Sequence, residues 1–486
     1  MLAALQAYRR YEARSFLLFL VFLILAIATR ESWLLLIPFA LITIPSLIKF
    51  SAEQPVKWWW LLLAMLPLST ELNITPTLGL DFPDEPLLIL LTAIALVKFI
   101  HQPRWFPRSV SVHPLYFLLV IYMGWIFITC LCAIDTWPAF KYLLAKLWYI
   151  VPFVMLVPVL LSSKEATRKM AMLLLVPMLF VVIQALIRHA WYGFSFESIK
   201  YMLKPFFRNH VNYSSMLVCL LAVGWGMWRL TPPTNPRRKW IGWGLMIGLT
   251  GLFFAYSRGA WVALLAGAIT IWLIKTKRMF FAVAIAIITI IVSTAWLVTD
   301  QRYMKFAPDH DHTIFHPDFG EHMAATVNMK DISAAERFYR WVAGAKMLAA
   351  RPLTGFGPNS FYNHYRPYTV RRFETWVSDN PEHSTVHNYF ILVALEQGLP
   401  GLILFSLLYF GMLIHAQRLY HQLHDPFYKM VALITGVVLV MIGVINFMSD
   451  MIETDKIGSL FWLALGMIVM LEVHIKVANH PSLPSV

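Results

Sequence analysis

The sequence is poor in charged residues, which make up only 14% of its 486 positions, whereas 59% are hydrophobic. Water-soluble proteins carry about a quarter charged residues, so this composition excludes a soluble protein. The loops also lack cysteine, because Cys130, Cys132 and Cys219 all stand in apolar runs. Disulfide frameworks and cysteine metal sites are therefore excluded, and the three cysteines are expected to pack against neighbouring helices.

The sequence has instead a series of continuous apolar runs of about 15 to 22 residues, long enough to cross a bilayer as helices. Because the runs do not alternate with polar residues, they exclude a membrane barrel of strands. The N-terminus reads MLAALQAYRRYEAR before its first apolar run and lacks a small-residue cleavage site, so we expect an uncleaved first helix and not a signal peptide. Fourteen spans are predicted, at residues 15–29, 33–50, 57–70, 86–100, 114–133, 143–162, 170–190, 212–228, 240–256, 260–274, 279–298, 399–416, 428–448 and 457–474.

Lysine and arginine concentrate in every second loop, as in Arg237-Arg238-Lys239 and in Lys275 to Arg278. The loops between them are poor in cations or acidic, as in residues 71–85 and 450–455. This alternation is the positive-inside pattern, and it places the N- and C-termini in the cytoplasm. The formal net charge of +14 therefore reflects membrane topology, and nucleic-acid binding is not predicted.

Two segments on the exterior side differ from ordinary connecting loops, one in its charge and one in its length. Residues 188–211 carry Arg188, Lys200, Lys204 and Arg208 on the side where cations are otherwise scarce. The segment 299–386 is too long for a connector and is therefore expected to be functional.

Helical signals occur within the longer exterior segment. Ser333-Ala-Ala-Glu336 has the form of a capping box, and apolar residues follow it at helical spacing until Pro352, which predicts an amphipathic helix of about 17 residues. A second helix is predicted to begin near Pro381 or Glu382 and to break at Gly398-Leu-Pro400-Gly401.

The fold class is thus all-α: a polytopic bundle of about 12 to 14 spans with one large exterior helical loop. Its predicted parts are residues 1–298 with about 11 spans, residues 299–398 with two amphipathic helices, and residues 399–486 with about three spans and a cytoplasmic tail.

Two arginines on the exterior side are candidate anion ligands. Arg258 stands between two apolar runs with almost no loop to solvate it, so it either snorkels at the membrane boundary or faces an anion. Arg208 begins the Arg-Asn209-His210 stretch at the mouth of a span, and it either binds an anion or pairs with an acid such as Asp450 or Glu453. Guanidinium groups give bidentate hydrogen bonds to phosphate oxygens, so together the two suit a diphosphate.

His387, followed by Asn388, is the candidate proton acceptor. Histidine accepts a proton near neutral pH, and the surrounding segment is polar enough to line a cleft. The first alternative to a catalytic role is that His387 is an ordinary polar residue exposed at the surface. A second alternative is a metal pair with His383, one helical turn earlier on the same predicted face, although no third ligand has a diagnostic spacing.

Three strings, in order, resemble the core of the O-antigen ligase and O-antigen polymerase family. They are Tyr256-Ser-Arg-Gly-Ala-Trp261, then Arg337 and Trp341 followed by Arg351-Pro-Leu-Thr-Gly-Phe-Gly-Pro358, then His387-Asn-Tyr-Phe with Glu396-Gln-Gly-Leu-Pro-Gly401. Each string alone is a weak signal, but the order and spacing of all three are fairly specific, and the resemblance covers roughly residues 200–470.

The resemblance implies a GT-C-like enzyme of the bacterial inner membrane with its active site on the periplasmic face. Its donor would be a glycan on undecaprenyl diphosphate, its acceptor lipid A-core or another glycan, and its partners also membrane lipids, with no metal and no other cofactor. By position, Arg258 and Arg208 would hold the donor diphosphate and His387 would be the catalytic base. Arg337 would be structural or donor-orienting, and Glu396 and Gly398 would shape the helix break. Asn388, His383, Asn209 and His210 are supporting candidates.

Diphosphate is a good leaving group, so the implied mechanism needs charge neutralisation and a base, and it inverts the anomeric carbon. The resemblance favours a ligase slightly. A polymerase that extends a lipid-linked repeat and a transferase that modifies protein share the same donor chemistry and stay open. A transporter or flippase is the alternative of another class; it would be expected to show inverted repeats, which the sequence does not show.

Overall fold

The computed structural model describes residues 19–25, 29, 37, 53–75, 78–102, 106, 108–306, 332–375, 378–380 and 383–479. The chain forms two compact units, residues 1–59 and 60–486, and the second holds every residue of the candidate site. The longer helices are α1 (Pro55–Met65), α2 (Asp84–His101), α3 (Pro114–Leu131), α4 (Thr136–Ile150), α5 (Lys164–Ala190), α6 (His210–Leu230), α7 (Arg237–Phe253), α8 (Arg258–Lys275), α9 (Met279–Val298), α10 (Ile332–Ala350), α11 (Tyr389–Gln422), α12 (Pro426–Phe447) and α13 (Asp455–Asn479). Strands β1 (Thr70–Thr75) and β2 (Leu78–Phe82) form one hairpin.

Within those described ranges, nine helices are long and apolar enough to cross a membrane. The predicted fold class, an all-α multi-pass membrane protein, is confirmed. Of the predicted span 15–29, residues 19–25 are helical and residue 29 is also described, whereas the predicted span 33–50 lies outside the described residues except for residue 37. The predicted span 57–70 is the shorter helix α1, which ends in a 3₁₀ turn at Leu66–Leu68.

The bundle is built around α11, α12 and α13. Helix α8 and helix α6 both pack on α12, and α3 packs on α11. Helix α13 is almost wholly buried, whereas Met279 and Val283 are the buried residues of α9. Apolar side chains on α9 therefore face outward, as expected of a helix that lipid surrounds.

The acidic segment at residues 71–85 contains a hairpin that the sequence did not predict. Strands β1 and β2 are antiparallel, and Glu71 lies directly opposite Asp81. Helix α2 follows at once, with Asp84 and Glu85 in its first turn. The hairpin thus gathers four carboxyl groups at one end of the bundle.

The segment predicted to carry two amphipathic helices is only partly as expected. The first helix is confirmed as α10. Pro381 and Glu382, the predicted start of the second, lie outside the described residues, and residues 383–388 are not helical. Helix α11 begins at Tyr389 because Asn388 caps it, its side chain accepting the N–H of Ile391 at 3.1 Å.

The predicted break in α11 is confirmed at Gly398, which has φ 72° and ψ −178°. The loop that follows α10 in the chain fills that break with main-chain hydrogen bonds. Phe356 N–H donates to Leu395 O at 3.0 Å, Gly357 N–H to Glu396 O at 2.9 Å, and Leu399 N–H to Pro352 O at 2.8 Å. The second and third sequence strings are therefore one structural unit, which we call the glycine lock (residues 352–361 with 395–399).

The carboxyl group of Glu396 closes the glycine lock. It is buried and accepts the N–H groups of Asn359 and Ser360, both at 2.9 Å, and of Phe361 at 3.2 Å. Three backbone donors on one buried carboxyl group fasten the loop to α11.

Replacement of Glu396 by glutamine is therefore expected to destabilise the protein by about 1 to 3 kcal/mol, because the amide NH₂ must face a buried N–H donor. The midpoint of thermal unfolding, measured on purified protein in detergent, should fall. Glu374→Gln, at an exposed position, is the matched control and should leave the midpoint unchanged. Equal midpoints for Glu396→Gln and wild type would contradict the role of this carboxyl group.

Candidate functional site

His387 lies in the turn before α11 in a left-handed conformation, with φ 54°. This conformation is costly for a residue other than glycine and is common at functional sites. Its Nδ1 atom is 3.8 Å from Oδ1 of Asp450, and its side chain is 34% exposed. Thr385 Oγ1 donates to Oδ2 of the same Asp450 at 2.5 Å. The carboxyl group of Asp450 therefore lies on the Nδ1 side of the ring, at ion-pair distance but beyond hydrogen-bond distance.

The sequence places Asp450 in an acidic loop but does not indicate that it lies beside His387. Hydrogen bonds join that loop to the start of α11: Tyr389 N–H donates to Ser449 O at 3.0 Å, and Asn388 Nδ2 donates to Phe447 O at 2.9 Å. Asn388, predicted as supporting, thus fastens the turn of His387 to the end of α12.

The predicted helical spacing of His383 and His387 is wrong. His383 is not in a helix; its backbone is left-handed, with φ 52°, and its ring stacks on Tyr362 at 3.9 Å between centroids. The proposed metal pair therefore loses its geometric basis. Throughout the part of the chain that is described, no three His, Cys, Asp or Glu side chains converge on a metal site.

Helix α10 contacts the turn of His387 through Arg340, which the sequence analysis did not single out. Arg340 is 6% exposed; it pairs with Glu336 at 3.4 Å and donates to the carbonyl of Thr385 at 3.2 Å. Arg337, the residue predicted from the resemblance, lies on the same helix and is half-buried. Glu336, predicted as part of a capping box, also accepts hydrogen bonds from Thr375 and Ser378, both at 2.5 Å.

Arg208 forms an ion pair with an acidic residue, which was one of its two predicted roles. The acidic residue is Glu71 of β1. Their Nη2 and Oε1 atoms are 2.6 Å apart, and the Arg208 side chain stays 60% exposed. The predicted partners Asp450 and Glu453 are wrong because the hairpin brings Glu71 closer, which the sequence did not predict. Arg208 also lines a cavity of 640 Å³, so it remains open to a ligand.

The neighbours of Arg208 shape the loop that carries it. Asn209 caps α6 by accepting the N–H of Asn212 at 2.9 Å, and the ring of His210 lies 6.4 Å from that of Phe196. Arg188 donates to the carbonyls of Lys204 and Tyr201. Asn209 and Arg188 therefore hold the cation-rich loop in place, while Lys204 and Arg208 face the cavity.

Arg258 is the first residue of α8 and is partly exposed. The turn before it is tight, because Tyr256 is left-handed with φ 52° and Ser257 is buried. The hydroxyl of Tyr256 donates to the carbonyl of Phe194 at 2.6 Å, and its ring contacts Phe196 at 5.6 Å. Since Phe196 also contacts His210, the turn of Arg258 adjoins the loop of Arg208.

The turn between α12 and α13 connects the turn of His387 with the cavity of Arg208. It begins with Asp450, which contacts His387, and its residues Glu453 to Lys456 line the cavity of Arg208. Lys146 of α4, almost fully buried, fixes the turn through both oxygens of Glu453, at 2.8 and 2.9 Å. The candidate residues therefore lie at one end of the bundle, in adjoining turns.

The electrostatics of the cavity wall follow from burial. Asp84 precedes the wall residue Glu85 in the chain but does not itself line the cavity; it is fully buried, and this burial raises the pKa of its carboxyl group to about 7, although nearby Lys456 acts in the opposite direction. Burial also raises the pKa of Glu85. Burial thus disfavours the ionised form of both carboxyl groups.

Residues 243–406 match the family model described as O-antigen ligase. The matched region contains Arg258, Arg337, His387 and the glycine lock, and it ends before Asp450. No curated protein matches the chain. The match confirms the resemblance drawn from the three sequence strings and supports an O-antigen ligase family assignment; Arg208 lies outside it.

Proposed function

With the O-antigen ligase match of residues 243–406 as the premise, we propose that this membrane glycosyltransferase uses an undecaprenyl-diphosphate-linked glycan. The acceptor is a hydroxyl of lipid A-core, and the reaction takes place at the periplasmic face of the inner membrane. The observation that carries the proposal is the contact between His387 and Asp450, because the turn that Asp450 begins also lines the cavity of Arg208. His387 lies inside the matched region, and Asp450 and Arg208 lie outside it.

In this proposal the acceptor oxygen attacks the anomeric carbon of the donor sugar while the bond from that carbon to the diphosphate oxygen breaks. Nε2 of His387 takes the hydroxyl proton, and Asp450 stabilises the imidazolium that forms. Arg258 and Arg208 neutralise charge on the departing diphosphate. Attack from the side opposite the leaving group inverts the anomeric configuration, so a product with retained configuration would exclude this mechanism.

Arg258→Ala is expected to lower turnover by about 10²- to 10³-fold, because a charged donor to the leaving group is lost. Arg258→Lys should recover only part of this loss, since an ammonium group cannot form the bidentate hydrogen bonds of a guanidinium. The measurement is product formation by purified protein from lipid-linked repeat units and lipid A-core, analysed by mass.

Arg278→Ala is the matched control: Arg278 lies against Trp272 at the opposite end of α8, 4.9 Å from the ring centre, and its loss should leave turnover unchanged. Wild-type turnover by Arg258→Ala would remove this arginine from the mechanism. A product that is a longer lipid-linked glycan, instead of glycosylated lipid A-core, would assign the protein to the polymerases.

A further inference from the structure

Thr385, two residues before His387, contacts both His387 and Asp450. Its hydroxyl donates to Oδ2 of Asp450 at 2.5 Å, and Oδ1 of the same carboxyl group lies 3.8 Å from Nδ1 of His387. The Thr385 oxygen also accepts the backbone N–H of His387, at the longer distance of 3.4 Å. A hydroxyl donates one hydrogen bond and accepts others, so this side chain holds both residues at once.

The hydrogen bond from Thr385 decides which oxygen of Asp450 lies beside the imidazole. A carboxyl group without such a partner turns over a broad range about its Cβ–Cγ bond. Because Thr385 holds Oδ2, Oδ1 is the oxygen nearer to His387. The attraction between a carboxylate and an imidazolium weakens as their separation grows, so it depends on where Oδ1 is held.

The backbone of Thr385 is fixed from other directions. Nη1 of Arg340, on α10, donates to the carbonyl of Thr385 at 3.2 Å, and Arg340 is buried. The preceding residue, Ser384, makes two hydrogen bonds of 2.9 Å with the side chain of Asn380, one through its carbonyl and one through its N–H. The Thr385 hydroxyl therefore has a fixed origin that does not depend on its bond to Asp450.

Loss of the hydroxyl is expected to affect the orientation of Asp450 more than the stability of the protein. The Asp450 side chain is 16% exposed, so water can replace the hydroxyl as the donor to Oδ2. A water molecule satisfies the oxygen but does not fix its direction. Thr385 does not line the cavity of Arg208.

We propose that Thr385 is a positioning residue for glycan transfer, whose hydroxyl holds the carboxyl group of Asp450 beside the imidazole of His387. The proposal rests on the proposed function, because it requires His387 to accept the proton of the acceptor hydroxyl. In this role Thr385 acts on the reaction through Asp450 and not through the substrates. Loss of its hydroxyl therefore lowers turnover and leaves the KM values of donor and acceptor unchanged.

Two variants separate the hydroxyl from the shape of the side chain. Thr385→Val keeps the branched shape and loses the hydroxyl, whereas Thr385→Ser keeps the hydroxyl and loses the methyl group. Turnover is measured on purified full-length protein in detergent, with lipid-linked repeat units and lipid A-core. It should fall by about tenfold in Thr385→Val, the order of one hydrogen bond to a charged group. Thr385→Ser should recover most of this loss.

Thr369→Val is the matched control. It makes the same change at a residue of the same segment whose hydroxyl donates to the carbonyl of Arg366 at 2.8 Å, and it should leave turnover unchanged. Thr385→Val is also made together with Asp450→Asn. Because no carboxylate charge then remains to be held, the double variant should turn over as slowly as Asp450→Asn alone, whereas separate roles would multiply the two losses.

The proposal is overturned if Thr385→Val has wild-type turnover, if Thr385→Ser falls as far as Thr385→Val, or if the change raises a KM instead of lowering turnover. It is also overturned if the losses of Thr385→Val and Asp450→Asn multiply. A clearly lower thermal midpoint for Thr385→Val would show that the hydroxyl serves the fold and not the orientation of Asp450.

Failure of the proposed function gives a different pattern. If folded His387→Gln transfers glycan at the wild-type rate, the base falls and the role of Thr385 falls with it. If His387→Gln is impaired and Thr385→Val is not, the proposed function stands and the role of Thr385 is wrong.

Discussion

His387→Gln should lower the turnover of glycan transfer by about 10²- to 10⁴-fold, the usual contribution of a general base. Glutamine keeps the size and polarity of the side chain but cannot accept the proton of the attacking hydroxyl. Asp450→Asn should cause a smaller loss, because Asp450 acts through the imidazole, 3.8 Å away. Both are measured with lipid-linked repeat units and acceptor at saturating concentrations.

The control for this experiment is His424→Gln, a change of the same kind at an exposed histidine in the loop between α11 and α12. It should have no effect on turnover. A thermal midpoint equal to that of wild type shows that His387→Gln is folded. If such a folded variant transfers glycan at the wild-type rate, His387 is not the base, and the mechanism proposed here is wrong.

The largest effect on stability is expected for Gly398→Ala. The backbone at Gly398 (φ 72°, ψ −178°) lies in a region that only glycine adopts readily. A Cβ atom there would lie 2.0 Å from the carbonyl oxygen of Leu353 and 2.4 Å from its carbonyl carbon, so the glycine lock would have to open. Backbone strain alone costs about 1 to 3 kcal/mol, and the lost hydrogen bonds add to it.

We expect little folded Gly398→Ala protein in membranes and a clearly lower thermal midpoint for what remains. Gly124→Ala is the matched control: Gly124 lies inside α3, and a Cβ atom there would meet no atom within 4 Å. Because alanine favours a helix more than glycine does, this change should leave stability unchanged or raise it by up to about 1 kcal/mol. Equal behaviour of the two variants would show that the break at Gly398 does not depend on glycine.

The sequence predicted those features that depend on local pattern. Continuous apolar runs predicted the spanning helices, helical spacing predicted α10, and the Gly-Leu-Pro-Gly string predicted the break in α11. The identities of Arg258, Arg208 and His387 as site candidates came from residue chemistry and family resemblance. Their roles stay predictions that the experiments above test.

The features that the sequence did not predict depend on contacts between distant segments. Asp450 is 63 residues from His387, and nothing in the local pattern of either indicates that they meet. Glu71 reaches Arg208 only because residues 70–82 form a hairpin, which has no strong turn signal. The helical pairing of His383 with His387 was wrong because Asn388 caps α11 and the chain before it is left-handed at both histidines.

The glycine lock also has a consequence for biogenesis. A helix that breaks leaves N–H and C=O groups that need partners outside the helix. At Gly398 those partners come from Pro352, Phe356 and Gly357, which precede α11 in the chain and so leave the ribosome first. The segment that completes the break is therefore synthesised before the break itself.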